Sequence, residues 1–308
     1  MTGGGEGAKV RAMEGISSGA PPGGEPPGGE PLIRDITDTA RWVAAIRAQE
    51  TERPNPLFRD PYAGRLAGER GREIAAEMAA RVRADWPMPI RTYAFDSMIR
   101  EHIAGGGDAV VNLAAGLDAR PYRMDLPPAL RWIEVDLPPM IEHKESVLGS
   151  ETPRCKLRRV RLDLSNRDAR RALFVELGRE GQNILVLTEG LLVYLDPPSV
   201  TELSEDLAAQ PTFRQWALDL LSPGLRLMLM RQFGAKLEEA QVPFRFAPEE
   251  GPGFFAPQGW HVMRVMSLFK TASKLGRLPL WMRLFALLPE SNGRQGKRPW
   301  GAVCLLSK

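Results

Sequence analysis

The sequence predicts a doubly wound α/β sheet, mostly parallel with an antiparallel last strand, preceded by N-terminal helices and interrupted by a lid insert. Two observations lead there. Between residues 109 and 221, short apolar runs alternate with amphipathic stretches at roughly 25-residue spacing, the pattern of strands joined by helical crossovers. After residue 222 that rhythm breaks into a stretch rich in Phe and Met among Pro and Gly, and only then do two further apolar runs follow.

Taken in order, residues 1–30 hold ten Gly and four Pro, a composition that cannot bury enough surface to offset chain entropy, so a disordered tail is expected. Thr37 or Asp38 caps a helix reaching about Thr51, which Pro54 and Pro56 end. Further helices are expected between Ala63 and Arg83 and between Arg91 and Ile103. Strands are expected at Ala109–Ala114, Trp132–Asp136, Leu157–Leu162, Ile184–Thr188 and Trp216–Leu221. Helices Pro138–Leu148, Arg167–Arg179 and Pro198–Ala209 separate them. Residues 223–256 are read as core or lid, and Val262–Leu268 and Trp300–Leu306 as the final strands. Between them, Leu278–Leu288 reads as a helix whose Trp281, Leu284, Phe285 and Leu288 pack on the domain. The division expected is a tail (1–30) and one domain (31–308). The domain comprises N-terminal helices (31–104), a ligand-binding core (105–222), the insert (223–256) and the last strands with their helix (257–308).

Charge and cysteine usage exclude several classes. The formal net charge of +3 is too dilute for nucleic acid binding, and the basic run Arg154–Arg161 reads as one solvated strand face. Cys155 and Cys304 are too few for a disulfide framework and stand apart from any zinc spacing, so no metal is expected and a reducing cytoplasm fits. No apolar run approaches the ~18 residues that would span a bilayer, and neither membrane nor nucleic acid is expected as a partner.

Ligands of such sheets sit beyond the carboxyl ends of the strands. There this chain places Ala114-Ala115-Gly116, then Asp136, then Asp163-Leu164, then Glu189. Asp136 lies twenty residues beyond Gly116, the spacing at which a carboxylate takes both hydroxyls of a ribose. One acid after a strand is commonly a helix cap. Four consecutive strand ends built this way suit a nucleoside cofactor bearing an amino group and a sulfonium charge.

The stretch Arg91–Asp96, then VVNLAAGLDARPYRM, WIEVDLP, RLDLS and LTEGLLVYL, with Asp60-Pro61-Tyr62-Ala63 before them, resembles the leucine carboxyl methyltransferase-like family. It is especially similar to the bacterial branch associated with O-methylation of polyketide-type molecules. The resemblance covers about residues 35–308. It implies a Rossmann-like methyltransferase sheet, S-adenosyl-L-methionine as cofactor and a small-molecule methyl acceptor. It also implies roles: Arg91 for the cofactor carboxylate, Gly116 and its neighbour Ala114 for the turn beneath the methionine moiety, and Asp136 for the ribose. Asp163 and Leu164 would take the adenine, and Glu189 the amino group. The family shows Gly where this chain has Ala114, which strains the turn if that position needs a left-handed backbone.

Other readings stay open at this level. Arg91 could form a surface salt bridge, Glu189 cap a helix, Tyr194 pack in the core, and His261 be structural or a catalytic base. The acceptor could be a protein C-terminal carboxylate. A nicotinamide dehydrogenase fits poorly, because two of the three fingerprint glycines are missing. No catalytic base and no oligomeric state can be named.

Overall fold

The computed structural model describes residues 36–81, 85–239, 243–287, 296 and 298–308. The tail expected at residues 1–30 lies outside them. Three helices come first: α1 (Ile36–Thr51), α2 (Ala63–Arg81) and α3 (Pro87–Ala104). Small residues let the first two approach closely: Ala44 and Ala45 of α1 and Ala67 and Ala75 of α2 share a buried cluster with Leu117 and Tyr122. α3 begins four residues before the expected Arg91. Pro87 opens it, where a missing N–H costs nothing and φ is already helical.

The core alternates as expected: β1 (Ala109–Leu113), α4 (Arg120–Arg123), β2 (Arg131–Asp136), α5 (Pro138–Leu148), β3 (Lys156–Arg161), α6 (Arg167–Leu177), β4 (Ile184–Thr188), α7 (Pro197–Ala208) and β5 (Phe213–Leu221). α8 (Pro223–Glu239) follows, then β6 (His261–Ser267), α9 (Leu268–Lys274), α10 (Leu280–Phe285) and β7 (Gly301–Ser307). The seven strands lie in the order β3-β2-β1-β4-β5-β7-β6. β7 alone runs against its neighbours, pairing antiparallel with both β5 and β6. The central strands β1 and β4 are covered on both faces, so their apolar runs are continuous rather than alternating. β3 is an edge, and its basic run is half-solvated. Arg158 pairs with Glu176 and Glu180, and Arg161 with Glu145.

One open reading closes and one expectation changes. The second half of the insert is core: Phe255 packs edge-on against Trp216 at 4.9 Å between ring centroids, and Phe246 is buried beside it. The helix in Leu278–Leu288 is shorter and turned the other way. Met282 and Ala286 pack inward, while Trp281, Leu284 and Phe285 face out; Leu288 lies outside the described residues. Its rotation is set by Arg283, which donates to the carbonyls of Leu278 and Gly276, both at 3.1 Å.

Register locates the business edge. β7 begins where β5 ends, Gly301 pairing Leu221, and β6 ends beside Ala302. The connections after β5 and between β6 and β7 therefore enter over the same edge at which β1, β2 and β4 finish.

Candidate functional site

β1 ends in a turn with two left-handed residues, Ala114 at φ 53° and Gly116 at φ 51°. The turn thus does require at position 114 the conformation that alanine adopts only at about 1–2 kcal/mol. Ala114→Gly should relieve most of that strain, raising stability by up to about 1 kcal/mol after the added chain entropy of glycine. A thermal melt showing no gain would count against the strain. Behind the turn stands Asp136 at the end of β2. Its Oδ2 accepts the Gly116 N–H at 2.6 Å and its Oδ1 accepts the Leu137 N–H at 2.7 Å. Each oxygen keeps a further lone pair for a ligand hydroxyl. Burial pushes the Asp136 carboxyl above the ordinary range, opposed by those two N–H groups and by Lys144.

Next to this turn the structure gathers charge from four elements. Arg91 of α3 donates through Nε to Glu189 Oε1 at 3.2 Å and through Nη1 to Asp219 Oδ2 at 3.2 Å. Glu189 follows β4, and its second oxygen meets Arg120 Nη1 at 2.8 Å. Asp219, on β5, also accepts the Gly190 N–H at 2.7 Å. Gly190 has φ 70°, and a Cβ there would stand 3.3 Å from Arg91 Nη1, so glycine serves both backbone and neighbour. Burial works against the Arg91 charge, but Asp219 and Glu189 outweigh it and hold its pKa above the ordinary value. Asp219 is pushed up by burial, partly offset by Arg91 and the Gly190 N–H.

Arg120 anchors this cluster from beneath. It is buried and donates to Asp96 Oδ1 at 2.6 Å and Asp118 Oδ2 at 2.9 Å. Asp118 also accepts the Asn112 amide at 2.9 Å. Asp96 binds Arg123 as well, and Arg123 reaches Asp60, which pairs with Arg47. The Asp60 and Arg91–Asp96 segments thus meet the Gly116–Arg120 turn through one ladder of alternating charges.

Asp163 and Leu164 stand apart from this network. The Leu162 N–H donates to the Asp136 carbonyl at 2.9 Å, so the segment continues directly beside the Asp136 end of β2. Asp163 Oδ1 accepts the Ser165 N–H at 2.8 Å, with its side chain exposed at the edge, and half-buried Leu164 packs against the core. Tyr194, read as a core residue, is half-buried and faces Arg91, Asp219 and Thr39 of α1; burial pushes its hydroxyl up to about 12. His261 begins β6 opposite Ser307, at the far edge of the sheet, and is exposed.

Asp219, Arg120 and Gly190 were not singled out from sequence. A lone acid inside the apolar run Trp216–Leu221 was the available signal for Asp219. Arg120 stands in the quoted turn motif but carried no assigned role. Among the described residues, no group of three or more His, Cys, Asp or Glu is placed to hold a metal ion, and no helix is long and apolar enough to cross a membrane.

A sheet in this order, with a tight turn after β1 and acids after β2, β3 and β4, places the chain among proteins folded like S-adenosylmethionine-dependent methyltransferases. A solved structure from Thermobifida fusca, provisionally titled a methyltransferase, superposes with a TM-score of 0.57 at 16% identity, covering 90% of this chain and 96% of that one. The chain belongs to the leucine carboxyl methyltransferase family, whose sequence profile matches residues 40–208. It is 31% identical over 72% of its length to a Streptomyces avermitilis protein, covering 82% of that protein. It is 36% identical over 78% of its length to one from Frankia alni, covering 87% of it. Both relatives are provisionally named S-adenosyl-L-methionine-dependent methyltransferases.

Proposed function

We propose that this chain transfers the methyl group of S-adenosyl-L-methionine to an oxygen, hydroxyl or carboxylate, of a small molecule. The observation that carries the reading is the meeting of Arg91 with Glu189 beside the Gly116–Asp136 turn. A cation and an anion on one spot, each backed by a second counter-ion, match the carboxylate and ammonium of an amino-acid head group. The free lone pairs of Asp136 match a ribose diol, Asp163 and Leu164 offer an adenine a polar acceptor and an apolar face, and the Ala114–Gly116 backbone lies between. When bound, the cofactor supplies an electrophilic methyl carbon on a cationic sulfur. This chain's residues hold the two charged ends and the diol, and so fix where that carbon points.

A carboxylate acceptor requires only alignment, whereas a phenol with pKa near ~10 gains from a base or a dry pocket. Burial pushes the Tyr194 hydroxyl up to about 12, which disfavours it as that base. The small-molecule reading draws on the connections around α8, α9 and α10, which enter over the carboxyl edge. The family description favours a second reading, a protein C-terminal carboxylate as acceptor. Buried free Cys155 and Cys304 suit a cytoplasmic setting.

Incubation with methyl-labelled cofactor against pooled metabolites and against peptides tests both readings. Label in the small-molecule fraction is expected; label only in peptides would replace that acceptor class. Asp136→Ala should weaken S-adenosylhomocysteine by roughly 1.5–3 kcal/mol through loss of a charged acceptor. Unchanged affinity by calorimetry would remove Asp136 from the site.

A further inference from the structure

Apart from Arg283, the residues of α10 are apolar on both sides of the helix. Its inner face, Met282 with Ala286 just beyond, joins Ile90, Ala272 and Leu278 in a small buried cluster. The outer face is bare: Leu280 is 79% exposed, Trp281 66%, Leu284 70%, Phe285 57%, and Leu287 just beyond 81%. Trp281 and Phe285 stack edge-on at 6.4 Å, so the patch is contiguous. A helix apolar all round is ordinarily buried, and a bare patch of this extent marks a contact surface.

The charge of the chain on either side of α10 says what covers it. In sequence, residues 268–300 carry seven lysines and arginines against a single acid, Glu290. Arg277 is taken up by Glu50 at 2.6 Å and Arg283 by backbone carbonyls, while Lys274 and Arg298 are exposed. A second copy docking through the same face would bring two like-charged basic segments together. An anionic bilayer surface answers both features at once: Trp, Phe and Leu enter the headgroup boundary, and basic side chains meet lipid phosphate.

We propose that α10 is a peripheral docking element for an anionic membrane surface. The lack of a spanning run bears on crossing a bilayer and not on lying against one. The cluster that roots α10 includes Ile90, next to Arg91, so docking sets the carboxyl edge of the sheet close to the lipid. The proposal does not depend on the cofactor assignment.

The test uses the full chain with vesicles of phosphatidylcholine alone and of phosphatidylcholine with phosphatidylglycerol, read by co-sedimentation. Binding is expected to the anionic vesicles, weakening with added salt. Trp281→Ser combined with Phe285→Ser should lower partitioning at least about tenfold, since both rings leave water only on docking. Lys274→Glu combined with Arg298→Glu should lower it on anionic vesicles with the apolar face intact. Both variants should melt like the parent, because all four side chains are exposed. Three results would overturn the proposal: no binding to anionic vesicles, equal binding by the Trp281/Phe285 variant, or a vesicle-free dimer lost in that variant. The last would assign the face to a second copy.

Discussion

Arg91→Ala and Glu189→Gln are each expected to weaken S-adenosylhomocysteine by roughly 2–5 kcal/mol while barely changing the affinity for methylthioadenosine. The second ligand has the same nucleoside but lacks the amino-acid head group, and a lost contact matters only when the ligand carries its partner. The structure sharpens this test, because in the free protein Arg91 and Glu189 bind each other. Each has a reserve partner. Arg91 keeps Asp219 when Glu189 is neutralised, and Glu189 keeps Arg120 when Arg91 is removed. Glu189→Gln strands no buried charge, and Arg91→Ala leaves Asp219 with the Gly190 N–H as its remaining partner, so the second variant should melt lower while still showing the split between the two ligands. If the pair served only to tie α3 to β4, both ligands would weaken alike in step with a lowered melting temperature. Calorimetry with the two ligands on each variant decides the matter.

Arg120→Met is expected to cost far more in stability than in any single contact, about 3–5 kcal/mol. It removes a cation that faces Asp96, Asp118 and Glu189 together. For a chain of this size the loss corresponds to a melting-temperature drop of about five to eight degrees. The penalty should also depend on pH. Burial alone would raise Asp96 and Asp118, but Arg123 and Arg120 around the first, and Arg120 with Lys144 around the second, hold both below the ordinary carboxylate range. Stability from such groups is complete above the unfolded carboxylate value of about 3.9 and is lost as pH falls through the lower folded values. The gap between parent and Arg120→Met in urea midpoint should therefore hold from pH 7 to about 4 and narrow as pH falls below about 3.9. Asp136 and Asp219 work in the opposite sense. Their folded pKa values are raised, so their contribution is complete below about 3.9 and is lost as pH rises through those values, with or without Arg120. A gap that stayed constant as pH falls below about 3.9 would show that Arg120 acts through packing and not through its carboxylates.

The strands, their order of appearance and the residues at their ends were legible in the sequence because each depends on local rules. A run such as Ala109–Leu113 is buried on both faces, so it is unbroken and apolar, and the chain must turn immediately after it. The turn at Ala114–Gly116 and the Asp136 twenty residues later belong to one short unit, and their hydrogen bond follows from that closeness. The expectation of an antiparallel last strand agrees with β7.

Tertiary structure alone decided which charges meet. Arg91 lies 98 residues from Glu189 and 128 from Asp219, and no period or spacing encodes those distances. They close because α3 packs across the sheet and directs one face of its early turns at the strand ends. Arg120 takes its three carboxylates from a helix, a turn and a strand end for the same reason. The rotation of α10 is the plainest case. Helical spacing in Leu278–Leu288 allows two apolar faces, and sequence favoured the one with the larger rings. The anchor of Arg283 on two nearby carbonyls, together with the small space beside Ile90 and Ala272, turned Met282 inward and left Trp281 and Phe285 to the outside. A pattern of apolar residues sets that a face will be buried, but the shape of the cavity it meets selects which face fits.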